Sequence, residues 1–155
     1  VALYCVTTVQ EEIGLRGATT SSYGCNPHVG VAVDVGHAVD YPTADVKRHG
    51  DTKINSGPII GRGANINPVV FRQLLAVARG KKIPHQIAAE PRGTGTDANA
   101  MQLSRGGVAT GLVSIPNRYM HSPCELIDER DLEACIELVA ETALRIGPDT
   151  DWRPF

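Results

Sequence analysis

The first predicted strand and two adjacent acids lie in the stretch Val1-Ala2-Leu3-Tyr4-Cys5-Val6-Thr7-Thr8-Val9-Gln10-Glu11-Glu12-Ile13-Gly14. Its first eight residues form an apolar run rich in β-formers, which predicts a strand that is covered on both faces. Glu11 and Glu12 follow at the end of this strand. A carboxylate that is shielded from water must be paired, hydrogen-bonded or bound to a metal. The plainer alternative is that the two acids open the next helix, where they would favour the positive end of its dipole.

The rest of the chain alternates between predicted strands and predicted helices. Asn67-Pro68 is typical of a helix start, because Asn caps a helix and Pro fits its first position. The alternation predicts an α/β fold with a mostly parallel sheet, whose active site lies at the carboxyl ends of the strands. Strands are expected at 30–36, 58–60, 84–89 and 111–116, and helices at 14–22, 67–80, 97–104 and after Asp128.

The last predicted helix carries an apolar stripe at helical spacing. We interpret this stripe as the face that packs on the core. Its members are Leu132, Cys135, Ile136, Val139, Ala143 and Ile146.

The size and charge of the chain exclude several classes of protein. Its 155 residues fit a single domain over 1–155 with a tail from 147 to 155, and 42% apolar residues are normal for a globular protein. A net charge of -2 with scattered Lys and Arg residues argues against nucleic acid as a partner. No apolar run approaches the ~20 residues of a membrane span. The four cysteines lack C-x-x-C spacing, so we interpret them as reduced thiols of a cytoplasmic protein.

Further polar residues follow other predicted strands. Asp34 lies near the end of the second strand, Gly95-Thr96-Asp97 follows a later one, and His121 follows the last. One histidine and several carboxylates that converge from strand ends suit zinc, cobalt or manganese. Of the adjacent acids, one can bind the metal while the other takes a proton from water. Two alternatives stay open: Asp34 could be a helix cap or ion-pair partner, and His121 an ordinary loop histidine.

Two other kinds of site are not supported by their motifs. The glycine-rich stretch Arg92-Gly93-Thr94-Gly95-Thr96 lacks the G-K-[ST] ending of a phosphate-binding loop. Cys124 lies near His121, but no acid stands nearby to orient a cysteine–histidine pair. We interpret the other four histidines as loop residues, although His37 is close enough to Asp34 to line a site.

Four ordered motifs resemble those of the tetrahedral (glutamyl/deblocking) aminopeptidase family of dinuclear metallopeptidases. Some members of that family are labelled cellulases or endo-1,4-β-glucanases. The resemblance spans about residues 3 to 146. The motifs are Val9-Gln10-Glu11-Glu12-Ile13-Gly14-Leu15-Arg16-Gly17-Ala18, Ala32-Val33-Asp34-Val35, Gly95-Thr96-Asp97-Ala98 and Arg118-Tyr119-Met120-His121-Ser122-Pro123.

The resemblance implies a role for each matched position. Glu11 matches the general base, Glu12 and His121 match ligands of one metal, and Asp34 matches a ligand of the other. Gly95, Thr96 and Asp97 match the segment that lines the substrate pocket. The family fold is a three-layer α/β/α sandwich, and its reaction removes N-terminal residues from peptides. Two divalent metals, zinc or cobalt, complete such a site.

The chain departs from the family pattern in what it lacks. The family site also needs an upstream histidine from an H-x-D motif and an upstream bridging aspartate, and a small β domain drives dimer and dodecamer assembly. None of these is present, so the chain resembles the C-terminal half of the catalytic domain, truncated at its N-terminal side. We therefore expect the isolated chain to bind metal weakly or incompletely and to have little peptidase activity, since zinc sites normally use three or four protein ligands.

Two alternative functions remain beside the aminopeptidase hypothesis. One is a non-catalytic, truncated α/β domain that self-associates through exposed strand edges and apolar surface. The other takes the glucanase label literally, but a glycosidase needs two carboxyl groups roughly 5 to 9.5 Å apart across a sugar. Adjacent Glu11 and Glu12 are poorly placed for that chemistry. The expected partners are a peptide substrate and either further copies of the chain or the missing half of the domain.

Overall fold

The computed structural model of the protein describes residues 1–154, apart from the side chain of Arg48. Within that part of the chain, the segments between residues 16 and 144 form helices and strands in alternation. They are α1 (Arg16–Cys25), β1 (Val29–His37), α2 (Val46–His49), β2 (Ile59–Gly63), α3 (Pro68–Lys81), β3 (Gln86–Glu90), α4 (Asp97–Met101), β4 (Ala109–Asn117) and α5 (Glu129–Leu144).

The four strands form one sheet in the order β1-β4-β2-β3. β1 pairs with β4 in parallel and β2 pairs with β3 in parallel, whereas β2 meets β4 antiparallel, with Ile59 opposite Ser114. The predicted α/β class is confirmed and two of the three pairings are parallel. Because of the antiparallel junction, the carboxyl ends of β1 and β4 share one edge of the sheet, which we call the site edge. The carboxyl ends of β2 and β3 lie at the opposite edge.

Helices cover both faces of the sheet, as the predicted three-layer sandwich requires. Leu112 and Val113 are neighbours on β4, so their side chains point to opposite faces. Val113 packs in a cluster with α3 and α5, and Leu112 packs in a second cluster with Ala98 of α4. The larger cluster contains the fully buried Ile60, Val70, Leu74, Val77, Ala78 and Leu138.

Residues 1–8 do not form the predicted strand. No described strand pairs with them, and Leu3 and Tyr4 are 72% and 64% exposed. The prediction of a buried strand is therefore wrong for this chain as it stands. A strand with apolar residues on both faces needs neighbouring elements on both faces, and the described residues provide none for this segment.

Two element boundaries differ from the sequence-based prediction for local reasons. α1 begins at Arg16 rather than at Gly14, because Gly14 and Leu15 have φ angles of 124° and 56°, outside the helical region. β2 continues through Gly61-Arg62-Gly63, beyond the strand expected at 58–60, because pairing with β3 extends to Glu90.

The predicted helix start at Asn67-Pro68 is confirmed. The Asn67 side chain accepts hydrogen bonds from the backbone N–H groups of Val69 and Val70. The single domain over 1–155 stays a prediction, and residue 155 of its tail lies outside the described residues. Within residues 1–154 no helix is long and apolar enough to cross a bilayer.

Candidate active site

Glu11 and Glu12 lie in a tight turn before α1. The Glu11 carbonyl oxygen accepts hydrogen bonds from the N–H groups of Gly14 and Leu15, at 3.1 and 2.9 Å. The first turn of α1 contains no acidic residue. The plainer alternative, in which the two acids open the helix, therefore does not describe this structure.

Gly17 fixes this turn against the segment that precedes it. Its N–H donates to the Val9 carbonyl oxygen at 2.8 Å. A Cβ atom at position 17 would lie 2.3 Å from Val9 N and 2.6 Å from Val9 O, which is too close for any side chain. Only glycine allows this approach, so Gly17 sets the path of the backbone into Glu11 and Glu12.

Asp34 lies on β1, three residues before its end, and pairs across the sheet with Ser114. One of its carboxylate oxygens accepts a hydrogen bond from the N–H of Val35 at 2.7 Å. Burial raises the pKa of Asp34, the Val35 hydrogen bond opposes that rise, and the nearby Asp97 carboxylate adds to it. Asp34 forms no ion pair among the described residues, so the ion-pair alternative for this residue is not supported.

His121 lies in the exposed loop after β4 and faces Glu12. Its Nε2 atom is 3.7 Å from a carboxylate oxygen of Glu12, and both side chains are exposed. The backbone of His121 has φ 61°, a left-handed conformation that is uncommon for a residue with a side chain.

Asp97 begins α4 and is held by the segment that leads to Glu11. Thr8 Oγ1 donates to one carboxylate oxygen of Asp97 at 2.6 Å, and the other oxygen is buried with no hydrogen-bond partner among the described residues. β3 ends at the edge opposite the site edge, so the loop after β3 carries the chain back toward the site edge and Asp97. Within this loop the hydroxyls of Thr94 and Thr96 are 2.8 Å apart, and Asn65 donates to Thr94 at 2.9 Å.

The charges of these residues act on one another. Burial raises the pKa of Glu11, and repulsion from Asp34, Glu12 and Asp97 raises it further, while His121 acts in the opposite direction. The structure thus brings the predicted acids and the histidine into one neighbourhood, with carboxylates in excess. The roles assigned to them stay predictions.

The side chains fit a divalent metal in kind but not in number. An imidazole nitrogen beside a carboxylate oxygen is the donor pair that zinc, cobalt and manganese accept. Among the described residues, however, no three His, Cys, Asp or Glu side chains are arranged to hold a metal ion. Glu12 and His121 therefore supply part of a coordination shell.

Sequence reasoning missed three residues that support this neighbourhood. Thr8 binds Asp97, while Glu125 binds both the Asn117 side chain and the backbone N–H of His121. Thr8 had been assigned to the strand only. Glu125 and Asn117 belong to no motif, and only the folded loop brings them to His121.

The model of one protein family, M42 glutamyl aminopeptidase, matches residues 1–138 of the chain. The chain belongs to this M42 family. The predicted resemblance to glutamyl aminopeptidases is thereby confirmed. Lysyl aminopeptidase of Pyrococcus furiosus is 46% identical to the M42 chain over 146 residues, which are 94% of the chain and 41% of that protein.

Solved structures support the same assignment. The TET aminopeptidase of a Thaumarchaeota archaeon from marine sediment matches with a TM-score of 0.85 and 32% identity, over 92% of the M42 chain and 40% of that protein. The Pyrococcus horikoshii TET1 peptidase can assemble into a tetrahedron or a large octahedral shell. It matches with a TM-score of 0.73 and 30% identity, over 90% of the M42 chain and 40% of that protein. The M42 chain thus spans about two-fifths of the length of these relatives.

The glucanase label also occurs among the structural neighbours. A Thermotoga maritima protein described as an endoglucanase matches with a TM-score of 0.59 and 25% identity, over 80% of the M42 chain and 36% of that protein. The prediction that similar proteins carry this label is confirmed. The label describes that protein and assigns no glycosidase chemistry to the M42 chain.

Proposed function

We propose that this chain carries part of the catalytic site of a metal-dependent aminopeptidase, which removes N-terminal residues from peptides. The observation that carries the proposal is the meeting of Glu11, Glu12, Asp34, Asp97 and His121 beside the site edge of a chain of the M42 family.

Glu11 is the residue proposed to move the proton. Its carboxylate takes a proton from the attacking water and delivers it to the amine of the leaving peptide. Partial burial and three neighbouring carboxylates raise the pKa of Glu11. A raised pKa makes a carboxylate a better proton acceptor, as a general base requires.

The remaining residues are proposed to bind the metals and the substrate. Glu12 and His121 would hold one divalent metal and Asp34 would bind a second, with zinc or cobalt as the expected ions. When bound, such a metal supplies the Lewis acidity that activates water and polarises the peptide carbonyl. Gly95, Thr96 and Asp97 would line the pocket for the N-terminal end of the peptide.

The isolated chain is proposed to be a weak metal binder with little or no peptidase activity. A zinc site normally needs three or four protein ligands, and among the described residues no three His, Cys, Asp or Glu side chains are arranged to hold a metal. Of the proposed ligands, only Glu12 and His121 lie within ion-pair distance of each other. Further ligands would come from the part of an M42 protein that lies outside the two-fifths matched by this chain, and the assembled protein would be a cytoplasmic homo-oligomer.

Zinc titration calorimetry of the chain tests the ligand assignment. We expect weak zinc binding that His121→Ala removes, whereas His28→Ala, at the amino end of β1, leaves it unchanged. We expect no hydrolysis of leucine p-nitroanilide by the isolated chain. Tight stoichiometric zinc binding together with hydrolysis would contradict the proposal of an incomplete site. Zinc binding that survives His121→Ala would contradict the assignment of His121.

A second candidate function is a non-catalytic domain that self-associates. The exposed apolar side chains of residues 1–9 favour it, because a segment of β-forming residues that pairs with no described strand can add to a strand of another molecule. The two candidates differ in one observable: only the aminopeptidase proposal requires zinc to contact His121.

A further inference from the structure

Glu125 makes two hydrogen bonds that join the end of β4 to the backbone of His121. One carboxylate oxygen accepts from the Asn117 side-chain amide at 2.7 Å, and the other accepts from the His121 N–H at 2.6 Å. Both acceptors are charged, and hydrogen bonds to charged groups are stronger than neutral ones. No motif and no proposed catalytic role accounts for Glu125.

The loop that carries His121 is held in an unfavourable backbone conformation. Tyr119 and His121 both have left-handed φ angles, of 59° and 61°. Such conformations cost free energy for residues with a side chain and persist only where the surroundings impose them. The base of the loop is closed by two backbone hydrogen bonds between Arg118 and Leu126, at 2.9 and 3.2 Å.

The other end of the Glu125 contact is anchored in the fold. Asn117 is buried at the end of β4, and its carbonyl oxygen accepts from the N–H of Ala38 at 2.9 Å. The next residue, Arg118, makes two hydrogen bonds to the carboxylate of Asp40, at 3.0 and 2.5 Å. The link from Asn117 to Glu125 therefore starts from a fixed point of the sheet.

We propose that Glu125 is a positioning residue for His121. Its carboxylate holds the His121 N–H, and this contact fixes the turn that directs the imidazole toward Glu12, 3.7 Å away. An effect of Glu125 on metal binding rests on the proposed function of His121 as a metal ligand. An effect of Glu125 on the conformation of the loop does not depend on that proposed function.

Substitutions at Glu125 separate positioning from simple loop stability. Glu125→Ala removes both hydrogen bonds. In Glu125→Gln the side-chain oxygen can still accept from the His121 N–H. The new amide can donate to Asn117 Oδ1, a buried atom without a partner among the described residues, once the Asn117 amide turns over. Glu133→Ala, at an exposed position on α5, is the matched control.

The experiment follows the ¹⁵N-labelled 155-residue chain by NMR, with and without zinc. We expect Glu125→Ala to speed hydrogen exchange of the His121 amide and to weaken zinc binding, each by about tenfold. Melting temperatures should stay close to that of the unsubstituted chain. Glu125→Gln should restore both quantities to within about threefold, and Glu133→Ala should change neither.

The NMR results distinguish failure of the Glu125 proposal from failure of the proposed function. Unchanged exchange of the His121 amide in folded Glu125→Ala overturns the proposal. Where zinc shifts the His121 side-chain resonances, faster exchange with unchanged zinc affinity overturns it as well. Failure of the proposed function is recognised differently: zinc then leaves the His121 side-chain resonances of the unsubstituted chain unmoved. In that case the exchange rates alone decide whether Glu125 positions the loop.

Discussion

Single residues determine how the backbone reaches the candidate site. Gly17 touches the backbone of Val9, and Thr8 binds Asp97, so the segment before Glu11 is tied to both α1 and α4. Neither Gly17 nor Thr8 carries the proposed chemistry. Both fix the position of residues that do.

Gly17→Ala is expected to destabilise the fold by about 1–3 kcal/mol, as overpacking at a close contact does. The added Cβ would lie 2.3 Å from Val9 N, so the turn that carries Glu11 and Glu12 must move. Gly24→Ala is the control, because no atom of the described residues lies within 4 Å of a Cβ at this position and Gly24 is also in α1. Alanine is favoured over glycine in a helix by roughly 0.5–1 kcal/mol, so the control should stabilise. Urea unfolding shows whether the free energy of unfolding falls in Gly17→Ala and rises in Gly24→Ala. An unchanged free energy of unfolding in Gly17→Ala would contradict the close contact with Val9.

Thr8→Val is expected to lower the free energy of unfolding by about 1–3 kcal/mol. The change removes the hydrogen bond to Asp97 and leaves both oxygens of that carboxylate without a partner among the described residues. Thr7→Val, at an exposed position, is the matched control and should be neutral. Equal urea midpoints for the two variants would show that the Thr8–Asp97 bond adds nothing.

The sequence indicated the acids and the histidine of the candidate site but not the residues that support them. Glu11, Glu12, Asp34 and His121 could be found because they lie in motifs that resemble those of the aminopeptidase family. The support from Glu125 could not, because it depends on a loop folding back onto Asn117. No periodicity or spacing rule encodes such a loop.

Among the elements, local capping was predictable and packing faces were not. Asp128 caps α5 as predicted, with its side chain accepting from the Arg130 N–H. The prediction of the core face of α5 was wrong in part. Ile136 is 61% exposed, whereas Leu138, which was not assigned to the apolar stripe, is fully buried. A cap depends on neighbours in sequence. The face of a helix depends on the sheet it meets, and several apolar stripes fit a helix of this length.

The antiparallel junction between β2 and β4 also lay beyond local sequence information. Alternating strands and helices predict parallel neighbours, and the junction arises from the order in which distant strands pair. It explains why the loop after β3 must return across the molecule to bring Asp97 to the site.

The cap of α5 gives a prediction for the pH dependence of stability. Hydrogen bonds from the Arg130 side chain and backbone lower the pKa of Asp128 from 3.8 to about 2. A lowered pKa in the folded state stabilises the fold above the ordinary value, and this contribution is lost as pH falls from 3.8 toward 2. Asp128→Asn keeps a cap but loses the charge. Its urea midpoint should therefore fall below that of the unsubstituted chain at pH 5 and approach it at pH 2.5, and a constant difference would contradict the assignment.

For the whole molecule, the fold class was predictable from the sequence, but the absence of a strand at residues 1–8 was not. The layered α/β arrangement follows from the alternation of helices and strands between residues 16 and 144. The expected first strand needs apolar cover and a pairing partner, and none of the described residues supplies them. The chain spans about two-fifths of the length of its relatives, and its residues 1–9 carry the exposed apolar side chains Val1, Leu3, Tyr4, Val6 and Val9.

Self-association of the chain should depend on this segment. Leu3→Glu combined with Tyr4→Glu places charge on the exposed apolar run and is expected to shift the chain toward monomer in light scattering at high concentration. Leu144→Glu, at an exposed position at the end of α5, is the control and should leave the distribution unchanged. An unsubstituted chain that is already monomeric would contradict the expected association.

Glu11 is the proposed general base of an aminopeptidase site, and an exchange of segments with a relative measures its contribution to catalysis. The 146 residues that match Pyrococcus furiosus lysyl aminopeptidase can replace their counterparts in that enzyme, with circular dichroism as the check of folding. We predict that the folded hybrid hydrolyses lysine p-nitroanilide. Glu11→Gln should lower its kcat by at least about 100-fold, while Glu133→Gln should leave kcat unchanged. A folded hybrid that keeps its full kcat after Glu11→Gln would contradict the proposed role of Glu11 as the general base.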